Sequence, residues 1–184
     1  MEEKHNHAIQ AGIYCGIALI ALSLIGVVLV YVVGGEEFLS ESYRWSDRYG
    51  DPANIPQGMP EVPPMSFILT GTAYMAVLGL ELLVFVLAGA LAVKLSAGVI
   101  HNKKEAIFTG ALAGIVAEIV RRPAMIVIDV LVSLIYAVPV ERAEASLVSN
   151  LIGHLVCCLP VMIIVGAVLA GIGASIYAMI KLKV

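Results

Sequence analysis

The sequence predicts an all-α integral membrane protein with about four transmembrane helices and one short re-entrant or interfacial helical segment. Of its 184 residues, 60% are hydrophobic and 14% are charged, and the mean hydropathy is +0.97. Soluble domains contain about 45 to 50% apolar and about 25% charged residues. The composition therefore excludes a water-soluble globule and a disordered chain. The three cysteines all lie in apolar stretches, which excludes a disulfide-rich secreted scaffold.

Long apolar stretches predict three of the spans. A helix needs about 20 apolar residues to cross about 30 Å of hydrocarbon. We place these spans at approximately residues 8–34, 66–93 and 151–180. The first stretch is longer than the apolar region of a signal peptide and no A-x-A site follows it, so we keep it as a span. Residues 35–65 are rich in proline, acidic and aromatic residues and are predicted to form an outside loop.

The region 106–138 allows three arrangements, because two short apolar segments flank Arg121, Arg122 and Pro123. In the first arrangement both segments cross the membrane. In the second, one long helix buries all the charges of the region. In the third, residues 106–120 form a re-entrant or interfacial segment. In the third arrangement the arginines stay at the membrane surface and a span of approximately 123–140 starts at the proline, a residue that suits a first helical turn. We expect this third arrangement, with an inside segment over residues 94–122.

The distribution of basic residues supports that choice and predicts the orientation. With four spans and both termini inside, eight of the eleven basic residues lie on the inner side. The sequence thus predicts a multi-pass protein of the cell membrane with cytoplasmic N and C termini. The eight residues are Lys4, Lys94, Lys103, Lys104, Arg121, Arg122, Lys181 and Lys183.

Small residues spaced four apart predict close helix packing. Lipid tails are as apolar as the side chains, so helices in a membrane associate through close backbone contact at small residues. The last span carries two such rows, which predict contacts with two neighbours, within the chain or with other membrane subunits or copies of itself. The rows are Ala8, Gly12 and Gly16; Ala106, Gly110 and Gly114; Gly166, Ala170 and Ala174; and Ala167, Gly171 and Ser175.

Glu81 and Asp129 are acidic residues within apolar segments, where a charge costs about 2.5 to 3.5 kcal/mol. One interpretation is a proton or cation site, since a carboxyl group removed from water can bind and release a proton near neutral pH. In this interpretation Asp129 is the partner of Glu81. The other is a structural Glu81 that is protonated and hydrogen-bonds a neighbouring helix.

Further polar residues give weaker candidates. Glu118 and Arg122 have the i,i+4 spacing of an ion pair, and the segment with Arg121 and Pro123 is either a surface anchor or the gate of a broken-helix site. Asn150 and His154 share a helical face and form a candidate polar site.

Three functions follow from these observations. The sequence favours a non-catalytic multi-pass protein that forms a homo-oligomer or serves as an accessory subunit of a larger membrane complex. The alternative is a proton- or cation-coupled transporter or channel-like subunit that uses Glu81 with Asp129. An enzyme is third, because no nucleophile, metal or nucleotide motif occurs. We predict no cofactor, no metal and, at a net charge of −3, no nucleic-acid partner.

Overall fold

The described residues of the computed structural model are 2–49, 65–135, 152, 156 and 159–182. Within them the regular structure is helical and there is no strand, which confirms the all-helical prediction. The elements are α1 (Glu2–Tyr49), α2 (Met65–Leu95), α3 (Lys103–Ile135) and α4 (Leu159–Tyr177), and α4 continues into a π-helical turn (Ala178–Leu182).

Three of these helices are long and apolar enough to cross a membrane, over Lys4–Val30, Ile68–Leu95 and Leu159–Leu182. They coincide with the three long apolar stretches of the sequence. However, α1 extends to Tyr49, so residues 35–49 of the predicted loop are helical. The first proline after the span is Pro52, and glycines within a helix cost only about 1 kcal/mol each, so little in the sequence stops the helix earlier.

The third helix differs most from the prediction. It runs for 33 residues through Pro123, so the break that we predicted between an interfacial segment and a separate span is absent. A proline inside a helix removes one backbone hydrogen bond, but membrane helices tolerate it where packing holds the helix on both sides. Here α3 is held before the proline by Arg121 and after it by the buried Ile128. Because of its charged residues, α3 is not one of the three helices that are apolar enough to cross a membrane.

The chain divides into two compact units, Met1–Leu22 with Gly79–Val184, and Ser23–Leu78. In the second unit α1 approaches α2 closely, because a β-carbon on Gly26 would lie 3.1 Å from Val77 Cγ1. The first unit contains α3, α4 and the adjoining parts of α1 and α2, and it holds the ion pairs described below.

In the first unit, the glycine row of α1 packs on α3. A β-carbon on Gly12 would lie 2.6 Å from Val116 Cβ, and one on Gly16 would lie 2.8 Å from Val120 Cβ. Distances this short leave no room for a side chain on α1. Gly12 and Gly16 therefore pack closely, as their spacing predicted, and their contact is with α3 of the same chain.

The glycines of α3 pack on α4 in the same way. A β-carbon on Gly110 would lie 2.7 Å from the carbonyl oxygen of Ala170, and one on Gly114 would lie 2.8 Å from Ala170 Cβ. Of the second row on α4, Gly171 is buried, and its β-carbon would lie 3.6 Å from Ile107 Cγ2. Both glycine-containing faces of α4 are thus used within the chain.

Substituting Gly89 tests this packing. A β-carbon there would overlap the backbone of Ala170, so Gly89→Ala must move α2 away from α4. We expect unfolding in detergent to require about 1 to 3 kcal/mol less free energy. The control is Gly79→Ala on the same helix, since a β-carbon on Gly79 would have no atom within 4 Å in the part of the chain that the structure describes. Equal effects of the two substitutions would show that the close contact is not needed for stability.

Candidate functional site: a buried network of charged residues

Glu81 of α2 is buried and pairs with Arg121 of α3. Arg121 Nη2 donates a hydrogen bond to Glu81 Oε2 at 2.5 Å, and each side chain is 8% exposed. Glu81 thus has a fixed cationic partner. This differs from both interpretations made from the sequence, in which its partner was Asp129 or a neutral hydrogen-bonding group.

Glu118 lies between two arginines of its own helix. Its side chain is fully buried, Arg122 Nε donates to its Oε1 at 2.5 Å, and Arg121 Nη1 lies 3.6 Å from its Oε2. The ion pair predicted from the i,i+4 spacing of Glu118 and Arg122 is therefore present. The i,i+3 contact with Arg121 joins this pair to Glu81.

The four residues Glu81, Glu118, Arg121 and Arg122 form one connected network, which we call the buried charge network. It contains two acids and two arginines, so its net charge is zero. An unpaired buried charge costs several kcal/mol, whereas a paired and hydrogen-bonded charge offsets much of that cost. The network therefore lets α3 keep its charges inside the helical packing.

The side chains of the two arginines are more buried than the sequence analysis predicted. We predicted that Arg121 and Arg122 sit at the membrane surface with their side chains extended towards the headgroups. Arg121 is instead buried at the level of Glu81, near the middle of α2, and the side chain of Arg122 is only 12% exposed. The reason is Glu81 on α2. Its carboxylate stabilises the buried guanidinium group of Arg121, as water would stabilise it at the surface.

The positions of Glu81 and Arg121 in the sequence are enough to indicate the interhelical pair. Glu81 and Arg121 each lie 20 residues from His101, which is in the connection between α2 and α3. Two antiparallel helices joined by a short connection bring such positions to the same level. The expected interfacial position of residues 106–120 excluded such an antiparallel arrangement, and the pair was therefore not predicted.

Of the other polar candidate residues, the structure describes only the backbone of Asp129. Asp129 lies in α3, two turns beyond Arg122, and its side chain is outside the described residues. Asn150 and His154 also lie outside them. Among the described residues, no group of three histidine, cysteine or acidic side chains is placed to hold a metal ion.

A second ion pair joins α1 to the start of α3. Lys4 Nζ lies 2.7 Å from Glu105 Oε2, which also accepts a hydrogen bond from the backbone N–H of His101 at 3.1 Å. The bond from Lys4 is the main cause that lowers the pKa of Glu105 below its ordinary value of 4.5, followed by the bond from His101. The contribution of this pair to stability is thus complete above pH 4.5 and is lost as the pH falls through the lower pKa of the folded state.

No protein-family model, curated protein or solved structure matches this chain. The class of protein therefore follows from the fold and the network alone. Within the described residues, the chain has four α-helices, three of them of membrane-spanning length and apolarity, and a buried charge network joins α2 to α3.

Proposed function

We propose that the chain is a non-catalytic multi-pass membrane protein in which all four helices cross the bilayer, and that it works as a homo-oligomer or as an accessory subunit of a larger membrane complex. The observation that carries this proposal is the buried charge network. Its acids and arginines bind one another within the helical packing. This arrangement suits a role in holding α3 in the membrane.

The distribution of side chains by size supports the membrane location. Most buried apolar residues are alanines, with glycines at the closest contacts, whereas large apolar side chains face outward. On α3 this outer surface includes Phe108 at 64% exposure, Val127 at 56% and Leu131 at 52%. Small residues inside and large apolar residues outside are typical of helices packed in lipid. The outer surface of α3 is therefore as suitable for lipid as that of the other helices.

Depth along α2 supports a fourth span. Glu81 precedes Lys94 by 13 residues, or about 20 Å at 1.5 Å per residue. If Lys94 lies at the membrane surface, Glu81 and its partner Arg121 lie within the roughly 30 Å of hydrocarbon. α3 then passes through the bilayer, and its arginines no longer count as inside residues.

The orientation with both termini inside is unchanged by this revision. Without the two arginines, six of the remaining nine basic residues are on the inner side. The contacts of Lys4 with Glu105 and of Lys103 with Met179 bring the start of α1, the start of α3 and the end of α4 to one end of the first unit. We propose that this end faces the cytoplasm at the cell membrane.

Native mass spectrometry after mild detergent extraction from the source membrane tests the functional part. We expect the chain to leave the membrane as a homo-oligomer or in a stoichiometric complex with other membrane proteins. Gly71 and Gly79 of α2 support such contacts, because a β-carbon at either would meet no atom of the described residues within 4 Å. Recovery of the chain as a lone monomer at every detergent concentration would contradict the proposal.

The alternative function, proton- or cation-coupled transport through Glu81 with Asp129, has a distinct requirement. Because Arg121 binds Glu81, transport would need Glu81 to exchange partners in each cycle. It predicts that Glu81→Gln abolishes pH-dependent flux in proteoliposomes while the fold is kept. The structural role proposed here predicts that the same substitution weakens the fold itself.

A further inference from the structure

Four exposed lysines lie at one end of the first unit, and we call them the basic end: Lys94, Lys103, Lys104 and Lys181. They belong to the last turn of α2, the first turn of α3 and the π-helical turn after α4. Their neighbours Val93, Ala106 and Ala178 pack in one buried cluster, which brings the three helix ends together.

The lysines of the basic end have no acidic partner among the described residues. Lys103 Nζ contacts Met179 Sδ at 3.6 Å, and a thioether is a weak acceptor. The nearby acid Glu105 already pairs with Lys4. In the sequence, Glu2 and Glu3 precede Lys4, and Lys183 follows Lys181, so the summed charge of these residues stays positive.

Apolar side chains adjoin these lysines. Exposed residues next to them include Leu95 at 38% and Ile180 at 65%. A lysine beside exposed apolar residues keeps its alkyl chain on the apolar surface and extends its ammonium group towards the polar layer. The basic end therefore has the composition of a boundary between hydrocarbon and headgroups, which distinguishes it from a surface for an acidic protein or a nucleic acid.

We propose that the basic end binds the headgroups of anionic phospholipids, with the ammonium groups of the four lysines on the lipid phosphates. This proposal rests on the membrane location proposed above. A lysine at a membrane surface attracts anionic lipid with a free energy that corresponds to about a fivefold preference. Four lysines from three helices would gather such lipids around one end of the protein.

Electron paramagnetic resonance of spin-labelled lipids tests this inference on the full chain in lipid nanodiscs. The measured quantity is the association constant of labelled phosphatidylglycerol relative to labelled phosphatidylcholine. We expect a preference of at least about fivefold for the wild type, and a ratio near one for the variant with Lys94, Lys103, Lys104 and Lys181 all replaced by Gln. At 1 M salt the wild-type preference should fall, because the Debye length is then about 3 Å.

Two control variants separate charge from position. Replacement of the same four lysines by Arg keeps the charge and should keep the preference. The double variant Arg44→Gln and Arg48→Gln removes charge near the other end of α1 and should also keep it. A wild-type ratio of one, or a preference retained by the Lys→Gln variant, would overturn the inference while leaving the membrane proposal intact. A chain that fails to enter the nanodiscs would overturn both.

Discussion

Replacing Glu81 by Gln should lower the free energy of unfolding by about 3 to 5 kcal/mol. The substitution removes one partner of a buried ion pair, and the remaining charge of Arg121 is then only partly balanced by Glu118, whose Oε2 lies 3.6 Å away. Breaking a buried pair on one side has effects of this size, because the other charge stays buried without its partner. Unfolding of the purified chain by increasing amounts of denaturing detergent in mixed micelles measures the change.

The double variant Glu81→Gln with Arg121→Gln makes the prediction specific. It removes both charges, leaves Glu118 paired with Arg122, and keeps the network neutral. We expect it to recover at least half of the stability that Glu81→Gln loses, because no charge of the pair is then left buried without its partner. Equal losses in the single and double variants would show that the unpaired charge of Arg121 is not what destabilises Glu81→Gln.

Glu105→Gln is the matched control for this comparison. Glu105 also pairs with a basic residue of another helix, but its side chain is 35% exposed, whereas that of Glu81 is 8% exposed. Water screens an exposed pair and solvates the partner that is left behind. We therefore expect a much smaller loss from Glu105→Gln. A loss equal to that of Glu81→Gln would show that burial does not set the effect.

The sequence predicted α1, α2 and α4 because a membrane span is defined by length and apolarity, which are local properties. The close packing at Gly12, Gly16, Gly110 and Gly114 was predictable for a similar reason, since small residues four apart lie on one helical face. These predictions needed no knowledge of which helix is the neighbour.

The course of α3 was not predictable from its own residues. Glu118, Arg121 and Arg122 make a buried helix unfavourable until Glu81 of another helix is taken into account. The continuation of α1 to Tyr49 was missed for a different reason, because acidic and aromatic residues after a span were interpreted as the start of the loop. In both cases we took polarity as the end of a buried helix, although polarity alone does not stop a helix.

We expect insertion of α3 into a membrane to depend on Glu81. Near the centre of a span, Glu118, Arg121 and Arg122 together cost about 7.5 to 10.5 kcal/mol if each is inserted as an isolated charge. The pair between Glu118 and Arg122 lies within α3, but the counter-charge for Arg121 on α2 comes from Glu81. Glu81→Gln should therefore reduce the fraction of chains in which α3 crosses from a majority to a minority.

Glycosylation of the full chain translated with microsomes measures this fraction. The sequence contains no Asn-x-Ser/Thr acceptor, so all glycosylation comes from the introduced acceptors. Glu144→Asn makes an acceptor with Ala145 and Ser146 after α3, and it is modified only where that segment reaches the lumen. Pro56→Ser makes an acceptor at Asn54 after α1, which should be modified in every variant and normalises the signal.

Leu83→Gln is the control for polarity on α2. Leu83 lies two residues beyond Glu81 and is 52% exposed, so the substitution adds a polar group without touching the buried charge network. It should leave glycosylation at residue 144 nearly unchanged while Glu81→Gln lowers it. If Glu81→Gln also leaves it unchanged, residues 123–140 cross without help from α2, as the interfacial arrangement of residues 106–120 requires. If both lower it, α2 itself has been lost from the membrane, and α3 depends on the presence of that helix and not on its carboxylate.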